Sequence, residues 1–465
     1  MNNKDPRSPK ALTRREFLKT AAAGVAFTAA GGILAGCAAP PTPQTAEQPA
    51  TQAPEQPATQ APAQTGGKVK LAYAWPFAAA QPVQSEIVKR FNDESKTIEV
   101  ELQIIPQDQV LPKLTTAFSG GAGPDALAMS PAWLSNFAAA GWLENLEDRL
   151  SSSGLDKEIL PIALIQGRMY KNTAYMAGCV VDTYPLFYNT DMFNEAGLSG
   201  PPETIDQFHE YAQKLTDAAN NRYGYFQLGG PGWSFQQWSY WMIAHGGIGV
   251  ENTLFEEDGK CIFRRPEEVA GLERWLSLYQ VDKVSPEASV SGTFNDAANA
   301  FNAGQIGMAF GFLGYIANFT SGIGHDKFGV ARLPKGPAGE FVHYGCNGFC
   351  IGSGSDKKDA AWEFLQFLLT PEINGWLNRE WGAIPSIEKA LTEEYLQDPH
   401  FEAPKAMVQE VNALVHTPRQ LADWGTYFQN YSVEEIQKTL LGQQTAQDFA
   451  DHNSDFLEEA MAKEA

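Results

Sequence analysis

The chain has 465 residues, 43% hydrophobic and 11% aromatic, enough for two or three domains with sizeable cores. Its 34 Lys and Arg against 55 Asp and Glu give a net charge of −21; the first 37 residues are basic (six basic and two acidic groups, +4), so the rest carries −21 − 4 = −25. A surface that acidic repels phosphate backbones and anionic headgroups, which excludes nucleic acid as a partner, and no stretch after residue 37 gives the 18 uninterrupted apolar residues of a membrane span.

Thr13-Arg14-Arg15-Glu16-Phe17-Leu18-Lys19 resembles the twin-arginine export motif, whose substrates fold before they are exported. The apolar run from Ala21 to Gly36 holds Gly24, Gly31, Gly32 and Gly36, too short and weak for a stable anchor. It ends in Leu34-Ala35-Gly36-Cys37, which matches a lipoprotein lipobox and marks Cys37 for lipidation. Residues 1–37 therefore read as a twin-arginine lipoprotein signal peptide. Residues 38–66 are Pro, Gln, Thr and Ala, with Gln48–Glu55 repeated almost verbatim from Gln56 to Ala63. Frequent Pro favours extended, polyproline-like chain, so this is a disordered tether; at ~3.1 Å per residue it reaches roughly 90 Å.

From Lys68 the pattern changes. Alternation predicts strands at Val69–Trp75 and Ile98–Ile105, with a short apolar strand at Ala126–Met129. Helical spacing between and after them predicts helices at Val83–Asn92, Leu111–Phe118 and Ala132–Ala140. This β-α-β-α-β-α order argues for a parallel sheet flanked by helices. A second α/β run starts near Tyr188, with helices near Ile205–Ala218, Phe235–His245, Glu267–Tyr279 and Asn295–Asn302. Later helices are predicted at Lys357–Leu369, Glu372–Arg379, Pro404–Val415 and Val433–Leu441. Ligands of open parallel sheets sit beyond the strands' carboxyl ends, which directs attention to the loops after Trp75, Ile105 and Met129.

Several segments in order then resemble the first family of extracellular solute-binding proteins, the carbohydrate type that serves ATP-driven importers. They are Gly120-Gly121-Ala122-Gly123-Pro124-Asp125, Phe187-Tyr188-Asn189-Thr190-Asp191-Met192-Phe193, and Asn299–Gly311 with Phe301, Gly304 and Met308-Ala309. Asn347-Gly348-Phe349-Cys350-Ile351, Ala360–Leu365, Gly382-Ala383-Ile384-Pro385 and Leu441–Thr445 continue the series to about residue 455. The resemblance implies an α/β fold of the two-lobed periplasmic-binding-protein type II, its lobes joined by crossover hinge strands. Residues 67–178 plus 348–388 would form lobe 1, and 182–344 plus 389–465 lobe 2. It also implies a monomeric, extracytoplasmic substrate-binding lipoprotein, anchored to the cell membrane through Cys37. Such a protein captures a mono- or oligosaccharide and presents it to the transmembrane subunits of an ABC permease, with no cofactor.

A sugar cleft needs flat aromatic faces for pyranose C–H surfaces and planar polar groups for hydroxyls. Trp75 ends the first strand, and Ser130 and Trp133 follow the third, at carboxyl edges where family members place ligand contacts; Ser130 also fits a helix cap. Asp182 precedes the Tyr188-Asn189 segment at the spacing of a family ligand carboxylate. Ser234-Phe235-Gln236-Gln237 fits a capping box, which places Trp238 and Trp241 on the core face of a helix. Trp233, before the cap, is left to face a cleft or to staple against Trp238. Tyr315 stands near the family's second-lobe aromatic, although Leu313-Gly314 replace the usual Pro-Trp. Trp424 and Tyr427 are candidates to close the cleft, and Gln107, Asp108 and Asn347 are polar groups on its loops or hinge.

No catalytic or metal set competes. The seven histidines are scattered without metal spacing, Gly352-Ser353-Gly354-Ser355 lacks the nucleophile-elbow pattern, and Glu256-Glu257-Asp258-Gly259 reads as a hairpin turn. Two alternatives stay open: an extracytoplasmic glycoside hydrolase using paired carboxylates, and the same fold with a non-sugar solute. With Cys37 lipidated, Cys179, Cys261, Cys346 and Cys350 remain; the resemblance puts Cys179 and Cys346 on adjacent crossover strands, a candidate disulfide against the alternative of four buried thiols.

Overall fold

The computed structural model describes residues 67–464 apart from 78–79, 107–108, 232 and 411–413. The twin-arginine segment, Cys37, the tether and the candidates Gln107 and Asp108 lie outside the described residues. Among the described residues, ten strands form two sheets. The first has the order β10-β4-β9-β3-β1-β2, from β1 (Val69–Trp75), β2 (Ile98–Ile104), β3 (Ala126–Met129), β4 (Ala177–Thr183), β9 (Tyr344–Ile351) and β10 (Ile384–Pro385). The second has the order β6-β7-β5-β8, from β5 (Leu186–Asn189), β6 (Tyr223–Tyr225), β7 (Ile306–Phe310) and β8 (Phe328–Ala331).

The predicted parallel sheet is present as β1 paired in parallel with β2 and β3; β9, β4 and β10 extend it antiparallel. Helices Gln81–Glu94, Val110–Ser119 and Pro131–Ala139 link its strands, within two residues of the predicted bounds. The Gly-Pro-Asp turn has a structural task. Buried Asp125 accepts hydrogen bonds from the Ala72 N–H (2.8 Å), Ser355 Oγ (2.6 Å) and Lys357 Nζ (3.1 Å), tying β1 to the start of helix Lys358–Leu368. Burial raises its pKa, but these donors outweigh burial and hold the carboxyl below its ordinary value.

The sheets are connected by chain that leaves one and joins the other. β4 runs through Tyr184-Pro185 directly into β5; β8 returns through residues 332–343 to β9. A third connection follows β10. It buries Leu396, Phe401 and Met407 in the core cluster that holds β4 and β9, and its Pro399–Phe401 turn packs against β8.

Three expectations are corrected. Pro404–Val415 is not one helix: the helix spans Glu402–Gln409, and Leu414 pairs as an isolated bridge with Val342. Ser234 does not cap its helix; Trp233 occupies that position, the Ser234 hydroxyl is buried without a partner, and Gln237 Oε1 accepts from the Leu228 N–H (2.9 Å). The proposed disulfide is replaced by four free, buried thiols. β4 and β9 are neighbours, but neither register along the pair sets the two cysteines opposite: Cys346 faces Val181, and the register before the shift between Gly178 and Val180 would set it opposite Val180. Burial pushes all four thiols well above their ordinary pKa. The 256–259 turn is as expected, closed by Glu256 N–H to Lys260 O (2.8 Å) under the Phe255–Cys261 bridge.

Candidate functional site

The site is built where β4 crosses into β5. Strand alternation and register set Asp182 opposite Gly345 of β9. A Cβ on Gly345 would lie 3.5 Å from the Tyr184 hydroxyl and 4.0 Å from Arg419 Nη1, ordinary van der Waals contact, so both groups approach this position of β9. Asp182 is buried, and one carboxylate oxygen accepts from the Leu313 N–H at 2.9 Å, across 131 residues of sequence. Burial dominates its electrostatics and pushes its pKa to about 7, against the pull of the Leu313 and Thr183 amides.

Beyond Tyr184 the chain encloses a cavity lined by Tyr184, Trp233, Gln236, Gln237, Phe294 and His343, with Leu228, Phe310, Gly311 and Leu333 behind. About 270 Å³ of atom-free space runs from it toward solvent, but only about 10 Å³ admits the centre of a water molecule. That is one water's worth, so a sugar ring enters only if the lining parts. Trp233 is the half-buried ring of this wall. It packs on Tyr184 (centroids 5.1 Å), edge-on to Phe294 (5.3 Å) and Phe428 (6.0 Å), and lies nearly parallel to Phe312 (6.5 Å, 14°). Phe428 belongs to a π-helical turn, Tyr427–Tyr431, an irregularity that recurs at functional sites.

The polar groups are fewer. Helix Ser234–Gly246 is buried nearly all round, which forces Gln236 and Gln237 into the wall. Gln236 Oε1 and Gln237 Nε2 are buried with no hydrogen-bond partner, a cost of roughly 1–3 kcal/mol each that a ligand hydroxyl would relieve. His343 Nε2 lies 3.1 Å from Ser239 Oγ, whose own hydrogen goes to the Phe235 carbonyl, so Nε2 carries the proton. Burial, and then the Arg419 charge, lower its pKa to about 3; it lines the cavity as a neutral ring. Arg419, also buried, donates to the Tyr344 carbonyl (2.8 Å) and to Gln166 Oε1, and has no carboxylate at ion-pair distance among the described residues.

Of the residues singled out from the sequence, Asp182 is not among those lining the cavity and is buried two positions before Tyr184, holding the Leu313 N–H; Trp233 lines it. Trp424 stands behind it, buried and stacked on Phe428 (5.8 Å) and edge-on to Phe235 (5.2 Å). Tyr427 is also buried, its hydroxyl donating to Asn453 Oδ1. Tyr315 is a packing residue: it is buried among Phe187, Phe294 and Phe319, and its hydroxyl donates to the Phe294 carbonyl at 2.6 Å. Trp75 is fully buried against Phe77 and Trp381, away from this wall. Trp133 is buried in a separate cluster with Leu134 and Phe137, and Ser130 accepts from the Ala132 N–H (3.3 Å) as the helix cap. Asn347, half-buried on β9, makes no side-chain hydrogen bond to the described residues. Sequence reading missed Tyr184, Gln236, Gln237, Phe294, His343 and Arg419. The one available signal was the apolar surround of helix 234–246, which leaves its two glutamines nowhere exposed to go.

Comparison with known proteins places this architecture. A sequence model described as "Bacterial extracellular solute-binding protein" matches residues 45–375. The maltotriose-binding protein of Pyrococcus abyssi is 25% identical over 361 residues, 74% of this chain and 73% of that one. The diacetylchitobiose binding protein DasA of Streptomyces coelicolor is 25% identical over 315 residues, covering 66% and 70%. Among solved structures, an ABC transporter solute-binding protein of Thermotoga lettingae bound with alpha-D-tagatose superposes with a TM-score of 0.76 at 24% identity, over 84% of this chain and all of that one. The two sheets and their crossover strands are thus the two-lobed fold of periplasmic binding proteins. The chain belongs to the bacterial extracellular solute-binding protein family.

Proposed function

We propose that this protein is the capture subunit of an ABC importer, trapping a mono- or oligosaccharide between two lobes and releasing it unaltered to the permease. The observation that carries the reading is a cavity wall contributed wholly by the second lobe, residues 182–344: a half-buried Trp233 framed by aromatic rings, beside two buried glutamines with unpartnered polar atoms. That pairing offers a stacking face for sugar C–H groups and planar partners for hydroxyls. The lobes would be 67–178 plus 348–388, with β1–β3 and β10, and 182–344 plus 389–465, with β5–β8, while β4 and β9 cross the bounds between them. The relatives' sugar ligands support the same class.

The test is a thermal-shift screen against a carbohydrate panel, followed by calorimetric titration and mass spectrometry of the recovered ligand. One sugar is expected to raise the melting temperature and to be recovered intact. Trp233→Ala should weaken its binding by roughly 1–3 kcal/mol, about 5- to 150-fold. Wild-type affinity in the variant removes Trp233 from the site, and hydrolysed sugar would instead make the protein an enzyme.

The same reading makes it a monomeric lipoprotein, exported by the twin-arginine route and held at the cell membrane by lipid on Cys37, with residues 38–66 as leash. Cys37→Ser is expected to move the protein from the membrane pellet to the soluble fraction; continued sedimentation with membranes would remove the lipid anchor.

A further inference from the structure

The histidines are scattered in sequence, but the fold brings two together with a carboxylate, far from any spacing a motif would show. His325 begins the short turn before β8; Asp398 and His400 lie on the connection that follows β10. His325 Nε2 is 2.7 Å from Asp398 Oδ2, and His400 Nδ1 is 3.1 Å from Asp398 Oδ1. The three ligand atoms all fall within 4.8 Å of one another. Ligand atoms around a tetrahedral ion with bonds of about 2.0–2.1 Å sit roughly 3.3–3.4 Å apart, so small side-chain rotations would seat one.

Two further observations point to a ligand. His400 is 93% buried (7% exposed), and its Nε2 lies 3.0 Å from the Phe328 carbonyl, an acceptor only, so Nε2 carries the hydrogen. In the neutral ring Nδ1 then presents a lone pair to the Asp398 carboxylate, and this buried nitrogen has no hydrogen-bond partner. Two electron-rich atoms facing each other at 3.1 Å are stabilised by a positive charge between or beside them, a second ring proton or a metal ion, and Asp398 Oδ1 also accepts from the His400 backbone N–H at 2.8 Å. The second observation is the outer shell. Each imidazole is oriented through its other nitrogen, His400 by the Phe328 carbonyl and His325 by the Asp326 carboxylate (Nδ1 to Oδ1, 3.1 Å). That is the pattern which fixes metal-ligating histidines in one tautomer. The His400 ring is further held flat against Phe328, with centroids 4.2 Å apart and planes 7° from parallel.

We propose that His325, Asp398 and His400 form a binding site for one divalent transition-metal ion of the zinc class, with water completing the coordination. Two imidazoles and a carboxylate suit zinc and its neighbours better than magnesium or calcium, which take oxygen ligands. An ion held there clips the connection leaving the first sheet to edge strand β8 of the second. It is separate from the aromatic cavity and does not depend on the ligand assigned to that cavity.

Titration of the full-length, chelator-treated protein with zinc sulfate in a calorimeter is expected to show one ion bound per chain at micromolar or tighter affinity. Cobalt(II) should give visible d–d bands that zinc abolishes. His325→Ala, at an exposed position that leaves the core intact, should lower zinc affinity at least 10-fold, and Asp398→Asn should do the same. No binding at 100-fold molar excess of zinc would overturn the site, and so would equal zinc affinity in wild type and His325→Ala, which would place the ion elsewhere. Intact sugar binding alongside either negative result would leave the capture role standing.

Discussion

Replacing Trp241 by alanine is expected to cost roughly 3–5 kcal/mol of stability, the range for emptying a buried Trp site. Trp241 is fully buried, edge-on to Phe208 (5.4 Å, 70°) and His209 (5.4 Å, 75°). Its helix, Ser234–Gly246, is locked against helix Pro266–Gln280: a Cβ on Gly271 would come 2.4 Å from the Trp241 carbonyl oxygen. Backbones already that close cannot move in to fill the void, so the cavity persists and the cost falls toward the upper end. Guanidinium unfolding followed by far-UV circular dichroism checks it, since the substitution removes a fluorophore. Trp233→Ala, at a half-buried ring, should shift the midpoint less. An unchanged midpoint for Trp241→Ala would show that the helix pair repacks.

The second large effect is on pH dependence. Asp182 is expected to make the wild type lose stability relative to Asp182→Asn as pH rises from about 4 to 8. Its folded pKa is about 7 against an unfolded value of 3.8, so the native state binds the extra proton between those values. Below pH 3.8 the carboxyl is neutral in both states and carries no penalty; above it the unfolded chain ionises first, and the penalty is complete once pH passes 7. At about 1.36 kcal/mol per pKa unit the full swing is at most roughly 4 kcal/mol. Asparagine keeps the acceptor for the Leu313 N–H but cannot ionise. The difference between the two proteins removes every other titrating group from the comparison. Denaturation series across this range giving parallel curves would mean that Asp182 is solvated or paired in solution.

Legibility in the sequence followed the range of the interaction that fixes each feature. The three strands Val69–Trp75, Ile98–Ile104 and Ala126–Met129 and the helices between them come from side-chain periodicity within a dozen residues, and they stand where predicted. Asp125 was visible as part of a motif, but its role as the acceptor joining β1 to Ser355 and Lys357 was not, because its partners arrive from elsewhere in the chain. Cys179 and Cys346 were placed on the right pair of strands. The register that sets Cys346 opposite Val181 is fixed by pairing across the two strands and has no side-chain signature in either.

By itself the sequence determined the class of the protein: an acidic α/β chain with its segments in the order of a solute-binding family. Local periodicity, turn chemistry and ordered motifs are properties of neighbouring residues, and a single chain displays them. Only the tertiary structure decided which aromatics reach a cavity. Trp75, Trp133, Trp233 and Trp424 are alike in composition and local context, yet one is half-exposed to open space and three are buried, because burial is set by what packs on each from distant segments. The same holds for the His325–Asp398–His400 cluster, where the first two residues stand 73 positions apart and meet only because the third connection doubles back onto β8.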